Sequence, residues 1–172
     1  MKTNTQNFWI LYLLLAISQI IICNYGNFSP YLTLSILPAM VMCIPTGIST
    51  ISGMLIAALT GISIDFLSEG ILGLNTAAII PIAYMRRGSI AIFMGKDLII
   101  REDQFSIRKN GATKVFLVMF LANTLFISLY ILLDGAGTRE ISFNLLRYAS
   151  SIVPNMLLSY LVANVLNKED RR

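Results

Sequence analysis

Long stretches without charge constrain this chain more than any other feature of its sequence. No charged residue occurs between Lys2 and Asp65, and the apolar residues of the whole chain cluster in blocks of about 14 to 22 residues. A helix of about 20 residues spans the ~30 Å hydrocarbon core of a membrane. The blocks do not alternate between apolar and polar residues as the strands of a membrane barrel do. The sequence therefore predicts an all-α, polytopic integral membrane protein.

The composition excludes a soluble domain. Of the 172 residues, 56% are hydrophobic and only 13% are charged, and the mean hydropathy is +0.73. A soluble domain of this length needs more charged side chains to cover its surface. We therefore expect one transmembrane domain over residues 1–172.

The second and fourth apolar runs are short, and each contains a proline, Pro38 or Pro81. The fourth run stops at Arg86–Arg87. Extending its helix through this pair would cost about 2.5–3.5 kcal/mol for each arginine placed at the membrane centre. We therefore expect the helix to end before the pair, residues 90–100 to lie at the membrane surface, and residues 86–114 to form a cytoplasmic connector. The six predicted spans are residues 8–23, 31–44, 48–67, 71–85, 115–133 and 145–166.

Basic residues are distributed unevenly between the two ends of these spans. With six spans and both termini in the cytoplasm, 11 of the 13 basic residues are cytoplasmic, and only Arg139 and Arg147 lie at the outer side. Cytoplasmic loops of membrane proteins carry such an excess of Lys and Arg. Topology thus accounts for the net charge of +4. We expect contacts with anionic membrane lipids and no nucleic-acid partner.

Small residues recur at every fourth position of the third run. Ser49, Gly53, Ala57 and Gly61 precede Asp65 with this spacing, and residues four apart lie on one side of a helix. Small side chains allow a second helix to approach closely. That helix belongs either to this chain or to a partner protein, and the sequence leaves both alternatives open.

Asp65 is the first carboxylate of the chain and is predicted to lie near the outer end of the third span. A carboxylate at this depth must find a partner, water or the interface. Arg147, at the same predicted depth, is a candidate partner. Asp65 is expected to cap or pack a helix, with ligand or proton handling and a partner interface as the alternatives. We predict that Gly70, Gly73 and Asn75 form a tight outer turn after it.

The residue patterns of common catalytic and cofactor sites are missing from the sequence. The chain has no His, and Cys23 and Cys43 lie near opposite ends of neighbouring runs, which disfavours a disulfide. His is the commonest metal ligand and the usual acid or base near neutral pH. The sequence also lacks zinc-ligand spacing and a phosphate-binding glycine loop with its lysine. We therefore predict no enzymatic activity, no metal and no cofactor.

The segment from Gly61 to Ala78 reads G-I-S-I-D-F-L-S-E-G-I-L-G-L-N-T-A-A. It resembles the G-L-x-x-D-x-x-x-G-x-P-L-G-x-N-A-L-type segment of MreD, the bacterial family of rod-shape-determining membrane proteins. The chain length, the short second span and the short basic tail are also similar to that family. The Arg86–Arg87 pair and the acidic-basic connector at residues 101–103 are similar to members from the Bacteroidota group. Ile71 stands where the family usually has proline.

This resemblance implies a non-enzymatic subunit of the cell-elongation machinery in the bacterial inner membrane. The implied partners are the bitopic scaffold protein MreC and, directly or indirectly, the cytoskeletal protein MreB and the glycosyltransferase and transpeptidase that build lateral peptidoglycan. The family fold is similar to that of the six-helix substrate-binding subunits of energy-coupling-factor transporters. The candidate structural and interaction residues are Gly53, Ala57, Gly61, Asp65, Gly70, Gly73, Asn75 and Arg147.

The alternative function is capture of a vitamin-type small molecule for a membrane transporter. Such subunits typically carry an Ala-xxx-Ala patch on their first helix for docking to the transport module. The only alanine in the first run is Ala16, and the positions four residues away are occupied by Tyr12 and Ile20. Both side chains are bulky, so we favour the cell-elongation hypothesis.

Overall fold

The computed structural model describes residues 5–26, 29–69, 71–100, 105, 110–136 and 138–166. Within these ranges the ordered elements are all helical. A π-helical turn, Asp65–Glu69, directly follows α3. In chain order the helices are α1 (Thr5–Tyr25), α2 (Leu37–Met42), α3 (Thr50–Ile64), α4 (Leu74–Met94), α5 (Lys96–Ile100), α6 (Ala112–Gly135) and α7 (Ile141–Leu166).

Five described helical segments are long and apolar enough to cross a membrane. Large apolar side chains such as Leu13, Leu55 and Leu161 are exposed on these helices, as expected of surfaces that contact lipid tails, which are as apolar as leucine. This confirms the prediction of an all-helical protein and is consistent with several membrane crossings. The segments are Phe8–Tyr25, Thr50–Ser68, Leu74–Met94, Ala112–Gly135 and Ile141–Leu166.

The predicted second span, residues 31–44, is not one continuous helix. Residues 32–36 are non-helical, and α2 covers only Leu37–Met42. Pro38 lies in the first turn of α2, where its missing N–H has no helical partner to lose. Residues 35–44 are all buried, and α2 packs against α4, α6 and α7. We call residues 29–49 the broken segment. Its middle part, residues 35–44, therefore runs through the interior of the helix bundle.

Helix α4 continues through the arginine pair, contrary to our expectation. It ends at Met94, before Gly95 with a φ of 96°. Arg86 is only 1% exposed and Ile90 is completely buried, so the helix carries the arginine pair and the residues just after it into contact with the rest of the bundle. The physical reason is that the Arg86 guanidinium finds acceptors in the broken segment, which are far away in sequence.

The predicted boundaries of the first, third, fifth and sixth spans lie close to those observed. The sixth span, for example, is predicted at residues 145–166 and observed at Ile141–Leu166. Helix α3 with its π-helical turn covers residues 50–69. It makes its most extensive contacts with α4, which returns antiparallel to it after the short connection at residues 70–73.

Candidate functional site

Asp65 accepts five hydrogen bonds from the chain that follows it. Its Oδ1 accepts from the N–H of Asn75 at 2.8 Å and from Nδ2 of Asn75 at 3.0 Å. Its Oδ2 accepts from the N–H of Gly73 at 3.0 Å, and from the N–H and the hydroxyl of Thr76 at 3.1 and 2.7 Å. Gly73 is the N-cap of α4 and has no side chain for capping, so Asp65 caps the helix from a distance. The carboxylate thus fastens the end of α3 to the start of α4.

The backbone conformation of this turn explains why residue 73 is glycine. Gly73 has a φ of 97°, a left-handed conformation that glycine adopts without a steric penalty. The π-helical turn at Asp65–Glu69 inserts extra backbone of the kind often found at functional sites. Gly70, which we predicted to belong to the same turn, lies outside the described residues.

The predicted ridge of small residues faces the interior of the chain from Gly53 onwards, whereas Ser49 at its start is exposed. Gly53, Ala57, Gly61 and Asp65 are all buried. A Cβ atom added to Gly61 would lie 2.7 Å from Cα of Thr76, whereas one added to Gly53 would have no described heavy atom within 4 Å. Close approach of α3 and α4 therefore depends on Gly61. Of the two alternatives for the ridge, the geometry favours packing within this chain.

Arg147 is not the partner of Asp65. Its Nη1 lies 2.5 Å from Oδ2 of Asp134, and its Nε donates to Oγ1 of Thr33 at 2.8 Å. Nη1 of Arg139 reaches the same Asp134 oxygen at 3.0 Å. The short loop between α6 and α7 brings Asp134 to Arg147, while donors from its own turn surround the carboxylate of Asp65. Arg147 thus ties α6, α7 and the broken segment together.

Helix α7 supplies hydrogen-bond partners to the non-helical part of the broken segment. Oδ1 of Asn155 accepts from the N–H of Ser35, and its Nδ2 donates to the carbonyl of Thr33, both at 2.7 Å. Oγ of Ser151 accepts from the N–H of Thr33 at 2.9 Å. Asn155 and Ser151 are completely buried. They satisfy backbone groups that would otherwise lie unpaired inside the bundle, which would be costly.

Helix α1 contributes Gln19 to the same backbone. Its Oε1 accepts from the N–H of Ile36 at 2.7 Å, and its Nε2 lies 3.4 Å from the carbonyl of Leu34. Gln19 is completely buried. Non-helical backbone is tolerated at membrane depth only where it is buried in protein or faces water. Gln19 and Asn155 meet this requirement from two sides of the segment.

Arg86 binds the other end of the broken segment. Its guanidinium donates to the carbonyl of Ile44, to that of Pro45 at 3.3 and 3.4 Å, and to that of Ile48 at 3.3 Å. These carbonyls follow α2 and precede α3, so they have no place in a continuous helical ladder. A cation at the C-terminal end of a helix also interacts favourably with its dipole. The buried arginine therefore stabilises a chain break rather than a lipid contact.

Sequence analysis did not identify Gln19, Arg86 and Asn155 as parts of one arrangement. It interpreted Arg86 as a topology determinant, together with Arg87, whose Nη2 donates to the carbonyl of Thr46 at 3.3 Å. A usable signal is present in the sequence, because a short apolar run that ends at Pro45 leaves the last backbone carbonyls of its helix without helical donors. Isolated polar residues in longer apolar runs are the natural donors and acceptors for such a segment.

Two described carboxylates contact neighbouring parts of the structure. Asp65 accepts hydrogen bonds from its own turn, and Asp134 forms an ion pair with Arg147. Cys23 and Cys43 are not joined in a disulfide. Over the described ranges, no three His, Cys, Asp or Glu side chains come together as possible metal ligands. The contacts of Asp65 join α3 to α4, and those of Asp134 join α6 to α7 through Arg147.

Comparison of the chain with protein-family models, with curated proteins and with solved structures found no match. The Asp65 turn and the broken segment are therefore the features from which a function is inferred.

Proposed function

We propose that this chain is a non-enzymatic membrane subunit of the bacterial cell-elongation complex, of the MreD type. The observation that carries the proposal is the geometry of the Asp65 turn. Asp65 binds Gly73, Asn75 and Thr76, and Gly61 lies against Thr76. These residues belong to the segment that resembles the family. The resemblance therefore rests on one structural unit and not on scattered positions.

A scaffolding role accounts for the way the polar side chains are used. Asp65 and Asp134 are committed to structural contacts, which supports a role in holding partners over a role in catalysis. In this proposal the chain acts with an MreC-like bitopic scaffold to support lateral peptidoglycan synthesis. MreB, the glycosyltransferase and the transpeptidase of elongation join it directly or indirectly.

The broken segment is proposed as a sixth membrane crossing. Residues 31–36 cover at most about 20 Å, and the six residues of α2 add about 9 Å. Their sum approaches the ~30 Å hydrocarbon core. Six crossings place both termini on one side, and the basic residues favour the cytoplasm. The proposed location is the bacterial inner membrane, with a six-span fold like that of energy-coupling-factor substrate-binding subunits.

Reporter fusions test this topology. A fluorescent protein that matures only in the cytoplasm, fused after Arg172, is expected to fluoresce. Alkaline phosphatase inserted after Ala136 is expected to be active, because that loop lies outside. Activity of the same phosphatase when it is fused after Arg172 instead would contradict six crossings.

Depletion of the chain in the bacterium that encodes it tests the function. We expect depleted cells to become round. We also expect an MreC-like protein to co-purify with the chain in mild-detergent pull-downs from cells that are not depleted. Wild-type chain and the Asp97→Ala variant, which alters an exposed carboxylate, are expected to restore rods, and Asp65→Ala is not. Immunoblots of membranes separate loss of the protein from loss of function. Normal rods after clean deletion, in a strain without a second copy of the gene, would refute the proposal.

The vitamin-capture alternative gains no support from the described clefts between α6 and α7, which are lined almost entirely by apolar side chains. A small-molecule site needs a few convergent polar groups. The same pull-down also tests this alternative, because a small molecule that co-purifies stoichiometrically would favour it.

A further inference from the structure

Arg86 and Arg87 are neighbours in sequence, but the structure uses them differently. Arg86 is only 1% exposed and donates to carbonyls at the end of the broken segment. Arg87 is half-buried, and its Nη2 donates to the carbonyl of Thr46 at 3.3 Å. Among the described residues, its buried Nε and its accessible Nη1 have no hydrogen-bond partner. Arg87 therefore keeps a donor for a group outside the chain.

No described carboxylate neutralises this pair of arginines. The described ion pairs join Arg139 and Arg147 to Asp134, which lies at the end of α6. Asp97 is the first described acidic residue after the arginines, and its side chain is exposed in α5. Charged groups that are withdrawn from water are normally paired. The excess positive charge is therefore complementary to an anion, and only Arg87 has a free donor with which to bind one.

The register of α3 and α4 gives the depth of Arg87 in the membrane. The two helices are antiparallel, and Gly61 lies against Thr76. Thr50 is 11 residues before Gly61 and Arg87 is 11 residues after Thr76, so both lie about 16 Å from this contact at the same end of the pair. Thr50 is the first residue of α3 and of its membrane-length segment. Arg87 therefore lies at the end of the hydrocarbon core, where the headgroups begin.

Exposed apolar side chains lie close to Arg87 on one side of this helix pair. Ile51 and Tyr84 are 74% and 65% exposed. Measured from the contact between Gly61 and Thr76, each is rotated by about 80° around its own helix in the same sense, which places both on one side of the antiparallel pair. Tyr84 precedes Arg87 by three residues, and residues three apart share a helix face. A phospholipid matches this arrangement, because its phosphate lies next to its acyl chains, whereas a soluble anion leaves the apolar side chains uncovered.

We propose that Arg87 binds the phosphate of an anionic phospholipid through Nη1, with an acyl chain of the lipid against Ile51 and Tyr84. Arg86 takes no part in this contact, since its guanidinium is enclosed by the broken segment. The site rests on the membrane position of α3 and α4 and is independent of the proposed role in cell elongation.

Lipid titration tests the headgroup contact. The full-length chain in a mild detergent is titrated with dioctanoyl phosphatidylglycerol, and bound lipid is counted by native mass spectrometry. We expect Arg87→Gln to weaken binding of the first lipid about fivefold, the effect of one cation near an anionic headgroup. Arg87→Lys keeps the charge and should recover most of the binding, and Lys114→Gln, at an exposed cation elsewhere, should leave it nearly unchanged. Equal binding by the wild type and Arg87→Gln would overturn the proposal.

Competition distinguishes a lipid from a soluble anion. An excess of glycerol phosphate should leave the lipid bound, because it makes no contact with Ile51 or Tyr84. Displacement of the lipid would overturn the proposal and would assign Arg87 to a soluble phosphate compound.

Photo-crosslinking covers the case in which Arg87→Gln fails to fold. Gly88 is exposed, and a Cβ atom added there would meet no described heavy atom within 4 Å, so benzoylphenylalanine at position 88 leaves Arg87 intact. In vesicles with equal amounts of phosphatidylglycerol and phosphatidylcholine, its adducts should contain about fivefold more of the anionic lipid. Benzoylphenylalanine in place of exposed Tyr25, the last residue of α1, should show no preference, because no charged residue lies between Lys2 and Asp65. Equal lipid ratios at the two positions would overturn the proposal, as would crosslinks from position 88 to protein alone.

Discussion

Two glycines of α3 provide a matched test of how closely α3 and α4 must approach. Gly53 and Gly61 lie on the same buried ridge, two turns apart. An added Cβ would lie 2.7 Å from the Thr76 Cα atom at Gly61, but would meet no described heavy atom within 4 Å at Gly53. We predict that Gly61→Ala destabilises the protein and that Gly53→Ala stabilises it.

The magnitude follows from two opposing effects. Replacing glycine by alanine inside a helix stabilises it by about 1 kcal/mol, and both variants gain this. Overpacking costs about 1–3 kcal/mol. The upper end applies to Gly61, because its neighbour is backbone that no rotamer change can move and Thr76 also donates to Asp65. The net change is about 2 kcal/mol of destabilisation for Gly61→Ala, and the two variants should differ by about 3 kcal/mol.

Unfolding in mixed detergent measures this difference. Both variants are titrated with sodium dodecyl sulfate in dodecyl maltoside micelles, and helix loss is followed by circular dichroism. The midpoint for Gly53→Ala should lie above that of the wild type, and the midpoint for Gly61→Ala below it. If the two variants unfold at the same detergent fraction, Gly61 does not set the distance between α3 and α4, and the reasoning is refuted.

Three further changes test the polar contacts. Asp65→Asn should lower the free energy of unfolding by about 2–3 kcal/mol, and Asp65→Ala by more, because alanine leaves the N–H groups at the start of α4 without their acceptor; the same titration measures both. Arg86→Met frees backbone carbonyls at a cost of about 1–3 kcal/mol each, partly offset because a cation is no longer buried. The broken segment should therefore open more often in this variant, which exposes the buried thiol of Cys43 and speeds its alkylation. Arg86→Lys should speed the alkylation less. Asn155→Ala should lower the unfolding free energy by about 2–4 kcal/mol, whereas Asn164→Ala, at an exposed position of the same helix, should change it by less than about 0.5 kcal/mol.

Each of these changes has an outcome that would contradict it. An unchanged midpoint for Asp65→Ala would show that the remote cap contributes nothing, and exposed Asp97 is the control position for loss of a carboxylate. Equal alkylation rates of Cys43 in the wild type and in Arg86→Met would show that the guanidinium does not hold the broken segment. Equal effects at Asn155 and Asn164 would show that Asn155 is a passive core residue.

Sequence reasoning located the long helices because hydropathy over about 20 residues reports the membrane core directly. It therefore placed α6 and α7 to within a few residues at each end. The four-residue spacing of small side chains likewise indicated a close helix contact. It did not show that only Gly61, and not Gly53, sits against backbone, because that depends on the register between α3 and α4.

The broken segment and the length of α4 could not be predicted separately. Helix α4 can carry Arg86 inside the bundle because the chain after α2 offers free carbonyls. That chain can leave the helical ladder because Arg86 reaches it. Hydropathy scales assign each residue a free energy as if it faced lipid, so each half of this arrangement looks unfavourable alone.

The predicted pairing of Asp65 with Arg147 is wrong because it was inferred from the predicted membrane depth alone. A predicted depth in the membrane does not give the position of a helix around the bundle. Asp65 instead binds residues 8 to 11 positions later, and Arg147 binds Asp134, 13 positions earlier. Both partners lie across short connections, where chain geometry keeps them close.

The broken segment constrains the order in which parts of the chain can fold during synthesis. Its backbone partners come later, with Arg86 42 positions after Ile44 and Asn155 120 positions after Ser35. At about 5–20 residues per second, the ribosome makes Asn155 roughly 6–24 s after the segment that needs it. Unpaired backbone cannot wait in lipid for that time. Until the last helix arrives, these backbone groups therefore need other partners, such as water, another protein or a transient helix formed by the segment itself.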